Sequence, residues 1–335
     1  MRRRVSCALT ALAVVSLTCS AYVGAQAPAG RPAAAPNGGA GGGAIPRGPD
    51  GKPDMQGYWT NQTFTPLERP AEFKDKAFFT AEEAAAYAKR RLNAFLAQPE
   101  DAIHYDDAIW MSEKQPKGAL LRTSIITDPP DGRIPPLSEE GRRRAAERAA
   151  QRKLVGPADS AQTRGLSERC IYWQHEGPPL LPTGYNSNLQ IVQSPGYVVV
   201  IPEMMPVARI IPTDGRPKVG RAIRAYRGDS RGRWEGDTLV VETTNYSEKT
   251  AWRGASENLK VIERFTMLDA NTIRYQFTVD DPSTWSAPWS GEYPMHRIAE
   301  PIFEYACHEG NYGIVNILSA ARKAEAEAAA SGSTP

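Results

Sequence analysis

The chain has 335 residues, 41% of them hydrophobic, and it carries 40 Lys and Arg against 38 Asp and Glu. This near balance gives no electrostatic basis for binding nucleic acid or an anionic membrane. The length suits one sizeable domain, and after the first 27 residues no apolar stretch is long enough to cross a bilayer.

Residues 1–27 have the pattern of a secretory signal peptide, with three arginines, a short apolar run and then small residues. We expect cleavage after position 25 or 27, by the Sec or the Tat route, and hence a periplasmic or secreted protein. Cys7 and Cys19 leave with this leader, so the mature chain keeps only Cys170 and Cys307. An even count in an oxidising compartment favours one disulfide between them.

Composition predicts the domain organisation of the mature chain. Residues 28–50 are a Gly/Ala/Pro-rich linker with almost nothing to bury, so we expect disorder there. A single β-rich domain spans residues 51–322 and contains a helical insertion at about 66–165. Residues 323–335 form a charged tail that we also expect to be disordered.

Two helices are predicted inside the insertion. Thr80 and Glu83 have the spacing of a capping box and open a run of helix formers that ends at Pro99. Residues 138–153 begin with acids and continue with bases, which suits the helix dipole. We expect the arginines of this second helix to form a solvated face.

From about residue 188 the hydrophobic period changes to two, which predicts β-strands. In the clearest run, polar residues alternate with Ile273, Tyr275, Phe277 and Val279. Consecutive antiparallel strands form a meander that can close on itself. The predicted fold class is therefore β-rich (α+β), an antiparallel barrel or curved meander with the helical segments packed outside.

Two resemblances extend this prediction. Residues 54–60, DMQGYWT, resemble the Gly-x-Trp opening of lipocalin-like (calycin-type) barrels, which implies an arginine of a late strand packed on Trp59; Arg264 is the candidate. The chain also resembles an uncharacterised family of secreted bacterial proteins, through the segments RGDSRGRWEGDTLVVETTNY, ASENLKVIERFT and YACHEGNYGIVNIL. This second resemblance covers most of residues 51–322 and implies no reaction.

The disulfide would place two dipeptides within reach of each other, His175-Glu176 and His308-Glu309. Three interpretations are open. The two histidines and one or both glutamates could bind zinc or another divalent metal, which needs at least three converging ligands. One histidine could act as a general acid or base in a mostly apolar cavity. The third interpretation is that these residues only form hydrogen bonds among the loops around the disulfide.

Several side chains of the second half could bind or orient a small ligand: Tyr185, Asn186, Asn188, Arg209, Arg231, Trp252 and Arg253. Arg231 or Arg253 could receive a carboxylate or phenolate through its planar guanidinium. The abundant Trp, Tyr and Phe residues suit a cavity for a flat organic molecule.

We therefore expect an exported protein that binds a small, partly apolar organic molecule in a barrel cavity. The alternative is a cofactor-free or metal-dependent hydrolase, lyase or isomerase that uses the region of His175 and His308. No cofactor is predicted, although a divalent metal is left open, and neither nucleic acid nor a membrane is expected as a partner after signal cleavage. Ligand identity and oligomeric state are not predicted.

Overall fold

The computed structural model describes residues 44–97, 119–183, 186–205 and 207–332, all of which belong to one structural unit. The predicted leader and residues 28–43 of the predicted linker lie outside these residues. The described strands are β1 (Gly57–Thr60), β2 (Ile126–Asp128), β3 (Asn188–Ser194), β4 (Tyr197–Pro202), β5 (Arg209–Pro212), β6 (Asp229–Glu235), β7 (Thr238–Thr244), β8 (Lys260–Asp269), β9 (Thr272–Asp280) and β10 (Trp289–Ile298). The described α-helices are α1 (Ala81–Leu96), α2 (Glu139–Leu154) and α3 (Tyr312–Ala330).

The described strands form one antiparallel sheet in the order β5-β4-β3-β1-β10-β9-β8-β7-β6, and β2 pairs with the first part of β10. Its two outer strands, β5 and β6, face each other. Arg209 Nε on β5 donates to Ser230 Oγ on β6 across 3.0 Å. The sheet is therefore a nearly closed barrel, and the prediction of a β-rich antiparallel fold is confirmed.

The predicted alternation in β9 places Ile273, Tyr275, Phe277 and Val279 inside the barrel, all almost fully buried. The neighbouring strand β8 alternates in the same way, with Glu263 as its inward-facing carboxylate. Arg209 Nη1 donates to Glu263 Oε1 (2.9 Å), and Arg209 Nη2 donates to Thr243 Oγ1 of β7 (2.9 Å). A buried charge needs such compensation. Arg209 therefore links four strands near the line of closure, and its donors serve the barrel instead of a ligand.

One end of the barrel is built around Trp59, which is fully buried on β1. Its indole N–H donates to Met55 O (2.8 Å). Arg297 lies directly opposite in the register of β10, and its guanidinium stacks over the indole at 4.4 Å from the ring centroid. Arg297 Nη1 also donates to Gln56 O (2.6 Å), which holds the cation over the ring.

This arrangement explains the glycine of the Gly-x-Trp sequence. Gly57 has φ +124°, and a Cβ there would lie 2.5 Å from Arg297 Nη1. The expectation that Arg264 packs on Trp59 is wrong. Arg264 instead pairs with Glu235 across 2.9 Å in a partly exposed ion pair, because its position on β8 points it away from the barrel interior.

The predicted helix beginning after Thr80 is confirmed as α1. Thr80 Oγ1 accepts from Glu83 N (3.2 Å) and Glu83 Oε2 accepts from Thr80 N (2.8 Å), so both halves of the capping box are formed. The buried side of α1 packs Tyr87 against Phe79 and Phe73, with ring centroids 5.4 and 5.5 Å away. This small cluster is separate from the barrel core.

The predicted second helix is α2. Ser138 Oγ caps it by accepting from Gly141 N (3.0 Å), and Arg144 Nη2 donates to Thr284 Oγ1 (2.6 Å) in the loop before β10. Arg143 forms exposed pairs with acids of the same helix, as expected for a solvated face.

The C-terminal helix α3 continues to Ala330, beyond the point at residue 323 where we expected a disordered tail. Its alanine-rich sequence favours helix. Arg322 Nη2 and Nη1 also donate to the carbonyls of Ala158 (3.1 Å) and Asp159 (3.2 Å), which ties the helix to the segment after α2.

Candidate functional site

Segment 176–181, here called the plug, lies inside the barrel. Tyr275 OH on β9 accepts from Leu180 N (2.9 Å), and Tyr293 OH on β10 donates to Leu180 O (2.8 Å). A third hydroxyl, that of Tyr246, donates to a plug carbonyl across 3.3 Å. Buried backbone groups must find such partners. The barrel interior is therefore occupied here by a segment of the protein's own chain.

Two cavities adjoin the plug. The smaller, here called the polar cavity, has a volume of about 30 Å³ and is lined by apolar residues and by polar ones that include Asn61, His175, Glu176 and Asn188. The larger, here called the cleft, has a volume of about 340 Å³ and is lined by residues that include Phe64, Leu67, Arg91, Leu181 and Arg253. Both are lined by His175, Leu181 and Thr183, so they are neighbours.

Two buried asparagines line the polar cavity. Asn61 follows β1, and its Nδ2 donates to Tyr293 OH (3.2 Å); Asn188 opens β3, and its Nδ2 donates to Glu203 Oε2 (2.8 Å). The pairing of β1 with β3 places the two asparagines together. Within the described part of the chain, neither Asn61 Oδ1 nor Asn188 Oδ1 has a hydrogen-bond partner.

Glu176 contributes a buried carboxyl to the same cavity. Its Oε2 accepts from Arg227 Nη2 (3.2 Å), and its Oε1 has no partner among the described residues. Arg227 also donates to the carbonyls of Glu176 and Met205, and its guanidinium lies 5.7 Å from the ring centroid of Tyr172. Burial raises the pKa of Glu176 to about 8, because the loss of solvation outweighs the attraction of Arg227.

His175 is half-buried between the two cavities. Burial, and next the positive charge of Arg253, lower the pKa of His175 below its usual range, so the imidazole is neutral at pH 7. Its ring meets the indole of Trp173 edge-on, with centroids 6.3 Å apart. His175 Nδ1 is buried and has no hydrogen-bond partner in the described residues. A neutral imidazole and a carboxyl with a raised pKa are suited to proton transfer near neutral pH.

The cleft combines apolar walls with two arginines. Arg253 is exposed in a short turn, has φ +47°, and stacks over Trp252 at 5.7 Å from the ring centroid. Trp252 is fully buried and stacks on Trp289 at 6.0 Å, so the arginine rests on a rigid aromatic base. Arg91 of α1 is also exposed at the cleft. Among the described residues that line the cleft, none is Asp or Glu.

The predicted disulfide is present: Cys170 and Cys307 are bonded, with their α-carbons 5.7 Å apart. It does not assemble the two His-Glu pairs. His308 and Glu309 are exposed, and neither lines the cavity that contains His175. Backbone turns at His308 and Gly310 lead the chain from this pair directly into α3.

The predicted ligand-binding residues are divided by the fold. Asn186 and Asn188 line the polar cavity, while Tyr185 lies outside the described residues. Arg231 lies on β6 and donates to Asp229 of the same strand and to the carbonyl of Pro217 in the segment before it, so its guanidinium is used within the protein. Of the two arginines proposed to receive an anion, Arg253 lines the cleft, and Arg231 lines neither of these two cavities.

Sequence reasoning missed several residues of the site: Asn61, Arg91, Glu203 and Arg227. Each is an ordinary polar residue in its local sequence. The one available signal was that Asn61 directly follows the Gly-x-Trp strand, at the end of the barrel that such a strand helps to form.

No group of three or more His, Cys, Asp or Glu side chains in the described residues could hold a metal ion. No described helix is long and apolar enough to span a membrane. Comparison with protein-family models, with curated proteins and with solved structures found no match.

Proposed function

We propose that this chain is an exported, lipocalin-like protein that binds a small, partly apolar organic acid in the cleft beside the plug. The observation that carries the proposal is the lining of the cleft. Phe64, Leu67 and Leu181 provide apolar walls, Arg91 and Arg253 provide positive charge, and none of the described lining residues is a carboxylate. A volume of about 340 Å³ lies within the range of small-molecule sites.

The lipocalin-like assignment is supported by the end of the barrel around Trp59. The Gly57-x-Trp59 sequence lies on the first strand, and Arg297 from the last strand stacks on the indole. Export is supported by the disulfide, since such bonds persist in oxidising compartments. The ligand site proposed here lies beside the plug, because the plug occupies the barrel interior that a lipocalin-like protein would use.

The experiment compares 4-phenylbutanoate with 4-phenylbutanamide by isothermal titration calorimetry. A charge-assisted hydrogen bond contributes about 1.5 to 3 kcal/mol. We therefore expect the acid to bind at least tenfold more tightly than the amide. Arg253→Gln should remove that preference, whereas the control Arg264→Gln, which changes an arginine paired on the barrel surface, should keep it. Equal binding of acid and amide, or an unchanged preference in Arg253→Gln, would refute the proposal.

A second candidate function is acid-base catalysis, and the specific observation that favours it is Glu176. With a pKa of about 8, this carboxyl holds a proton at pH 7 beside a neutral histidine. It could deliver the proton to a bound molecule as a general acid. A panel of small esters, amides and hydroxy acids should then include a substrate whose turnover falls as the pH rises through about 8. Turnover that persists in Glu176→Gln would exclude this role.

A further inference from the structure

We propose that the polar cavity is a subsite for a primary ammonium group. A second step rests on the function proposed above: if the cleft binds an organic acid and the polar cavity binds an ammonium group, one ligand carries both groups. The ligand class is then a small amino acid or a related zwitterion. The ammonium subsite itself depends only on the polar cavity and not on the function proposed above.

Hydrogen bonds determine which amide atom of each asparagine is left without a partner. Tyr293 OH uses its proton on Leu180 O, so towards Asn61 it can only accept, and Asn61 must turn its Nδ2 to it. Asn188 turns its Nδ2 to a carboxylate oxygen of Glu203. In both amides Oδ1 is therefore the atom left without a partner in the described residues, and both asparagines line the polar cavity.

The third acceptor is Glu176 Oε1, which is likewise buried and unpartnered among the described residues. The carboxyl holds a proton at pH 7 in the protein alone, and a bound ammonium group would favour its ionised form, in which Oε1 accepts. Three oxygen acceptors match the three N–H donors of a primary ammonium group. Asn61, Glu176 and Asn188 are each more than nine-tenths buried, so leaving these oxygens without donors is costly. The volume of about 30 Å³ has room for one or two groups of the size of a water molecule.

The local charge also favours a monovalent cation. Glu176 and Glu203 are buried carboxyls, and Arg227 is the cation paired with the first of them. When both carboxyls are ionised, the three groups carry a net charge of −1. Burial raises the pKa of both carboxyls, which means that each is short of positive charge in the protein alone. One ammonium group would balance the site, whereas a divalent ion would leave it positive beside Arg227.

The polar cavity and the cleft are close enough to hold two ends of one molecule, because His175, Leu181 and Thr183 line both. The cleft presents arginines and the polar cavity presents acceptors. Opposite charge preferences in adjoining cavities are what a zwitterion requires, and each end would be rejected by the other cavity.

The test of the ammonium subsite uses n-butylammonium, N,N,N-trimethylbutylammonium and 1-butanol as probes, with affinities measured by ligand-observed NMR or calorimetry on the full mature chain. We expect n-butylammonium to bind at least tenfold more tightly than either analogue, since the trimethyl compound keeps the charge without N–H donors and butanol lacks the charge. Equal binding of the two ammonium compounds would overturn the proposal.

The matched variants are Glu176→Gln and Glu257→Gln. Glu176→Gln keeps the size of the side chain and lets the amide oxygen accept from Arg227. The amide NH₂, a donor, then replaces the acceptor Oε1. The second changes an exposed carboxylate that pairs with Arg224 outside both cavities. Glu176→Gln should lose the preference for n-butylammonium, and Glu257→Gln should keep it. A preference retained in Glu176→Gln would refute the subsite, and so would Ca²⁺ binding that competes with the amine and is lost in the same variant.

The link between the two cavities is tested with 6-aminohexanoate, hexanoate and hexylammonium. The zwitterion should bind more tightly than either single-ended probe, and Arg253→Gln should reduce its affinity to that of the amine alone. The failures are distinguishable. If acids bind and amines do not, the ammonium subsite is wrong and the proposed function stands; if amines bind and acids do not, the reverse holds. If the zwitterion binds no better than the single-ended probes, the two cavities do not share a ligand.

Discussion

Replacing Glu176 by glutamine should make the stability of the protein less dependent on pH. Glu176 is 7% exposed, and burial raises the pKa of its carboxyl from the usual 4.5 to about 8. In the unfolded chain it ionises at its usual pKa. The folded protein therefore binds one proton more than the unfolded chain between about pH 5 and about pH 8, and its stability must fall as the pH rises through that window. Glutamine at this position has no such proton.

The size of the effect follows from the two pKa values. Each pH unit inside the window changes the free energy of unfolding by about 1.4 kcal/mol. Allowing for partial ionisation at both ends, the wild type should lose about 4 kcal/mol between pH 5 and pH 9 from this group. At about pH 5 the protonated carboxyl and the amide have similar size and bonding, so the two proteins should be about equally stable there.

The assay is urea denaturation of wild type and Glu176→Gln at about pH 5, 7 and 9, followed by tryptophan fluorescence with the disulfide intact. The informative quantity is the difference between the two free energies of unfolding, since other titrating groups, including Glu203 and His175, are common to both proteins. A difference that grows with pH in favour of the variant supports the reasoning. A constant difference, or one that grows in favour of the wild type, would show that Glu176 is ionised and stabilised by Arg227.

Two further predictions concern the fold. Gly57→Ala should destabilise the protein by about 1 to 3 kcal/mol in urea denaturation, because the new Cβ meets the Arg297 guanidinium and the backbone has positive φ. The control Gly51→Ala is also at positive φ but has nothing within 4 Å of the new Cβ, so it should destabilise the protein less. Equal losses would contradict the steric argument. Glu263→Gln should cost about 3 to 5 kcal/mol by leaving Arg209 buried without its ion-pair partner, and the double variant Arg209→Met, Glu263→Leu should recover most of this loss. A double variant as unstable as the single one would refute that account.

The features that could be predicted from sequence are those with local causes. The capping box at Thr80 and Glu83 needs only residues three apart, and the alternation in β9 reflects the geometry of a single strand. The disulfide was predicted from the count of two cysteines that remain outside the predicted leader. The site was predicted only in part, because His175, Glu176, Asn188 and the turn at Arg253 stand out as residue types without revealing what they face.

The choice between similar residues depended on register. Arg264 and Arg297 both lie on late strands, and the sequence offers no reason to prefer the second. Pairing of β1 with β10 sets Arg297 opposite Trp59, whereas Arg264 lies on the outer face of β8. A shift of one residue in a strand exchanges its two faces, so residue type alone cannot decide such cases.

The sequence by itself determined the β-rich class, the helix that begins after Thr80 and the pairing of Cys170 with Cys307. Periodicity and helix propensity act within short segments, and two cysteines allow only one pairing. Only the tertiary structure decided that a proline-rich segment fills the barrel, and that Asn61 and Glu176, far apart in the chain, line one cavity. Strand pairing and burial bring such residues together. Burial also sets the pKa of Glu176, which no local pattern encodes.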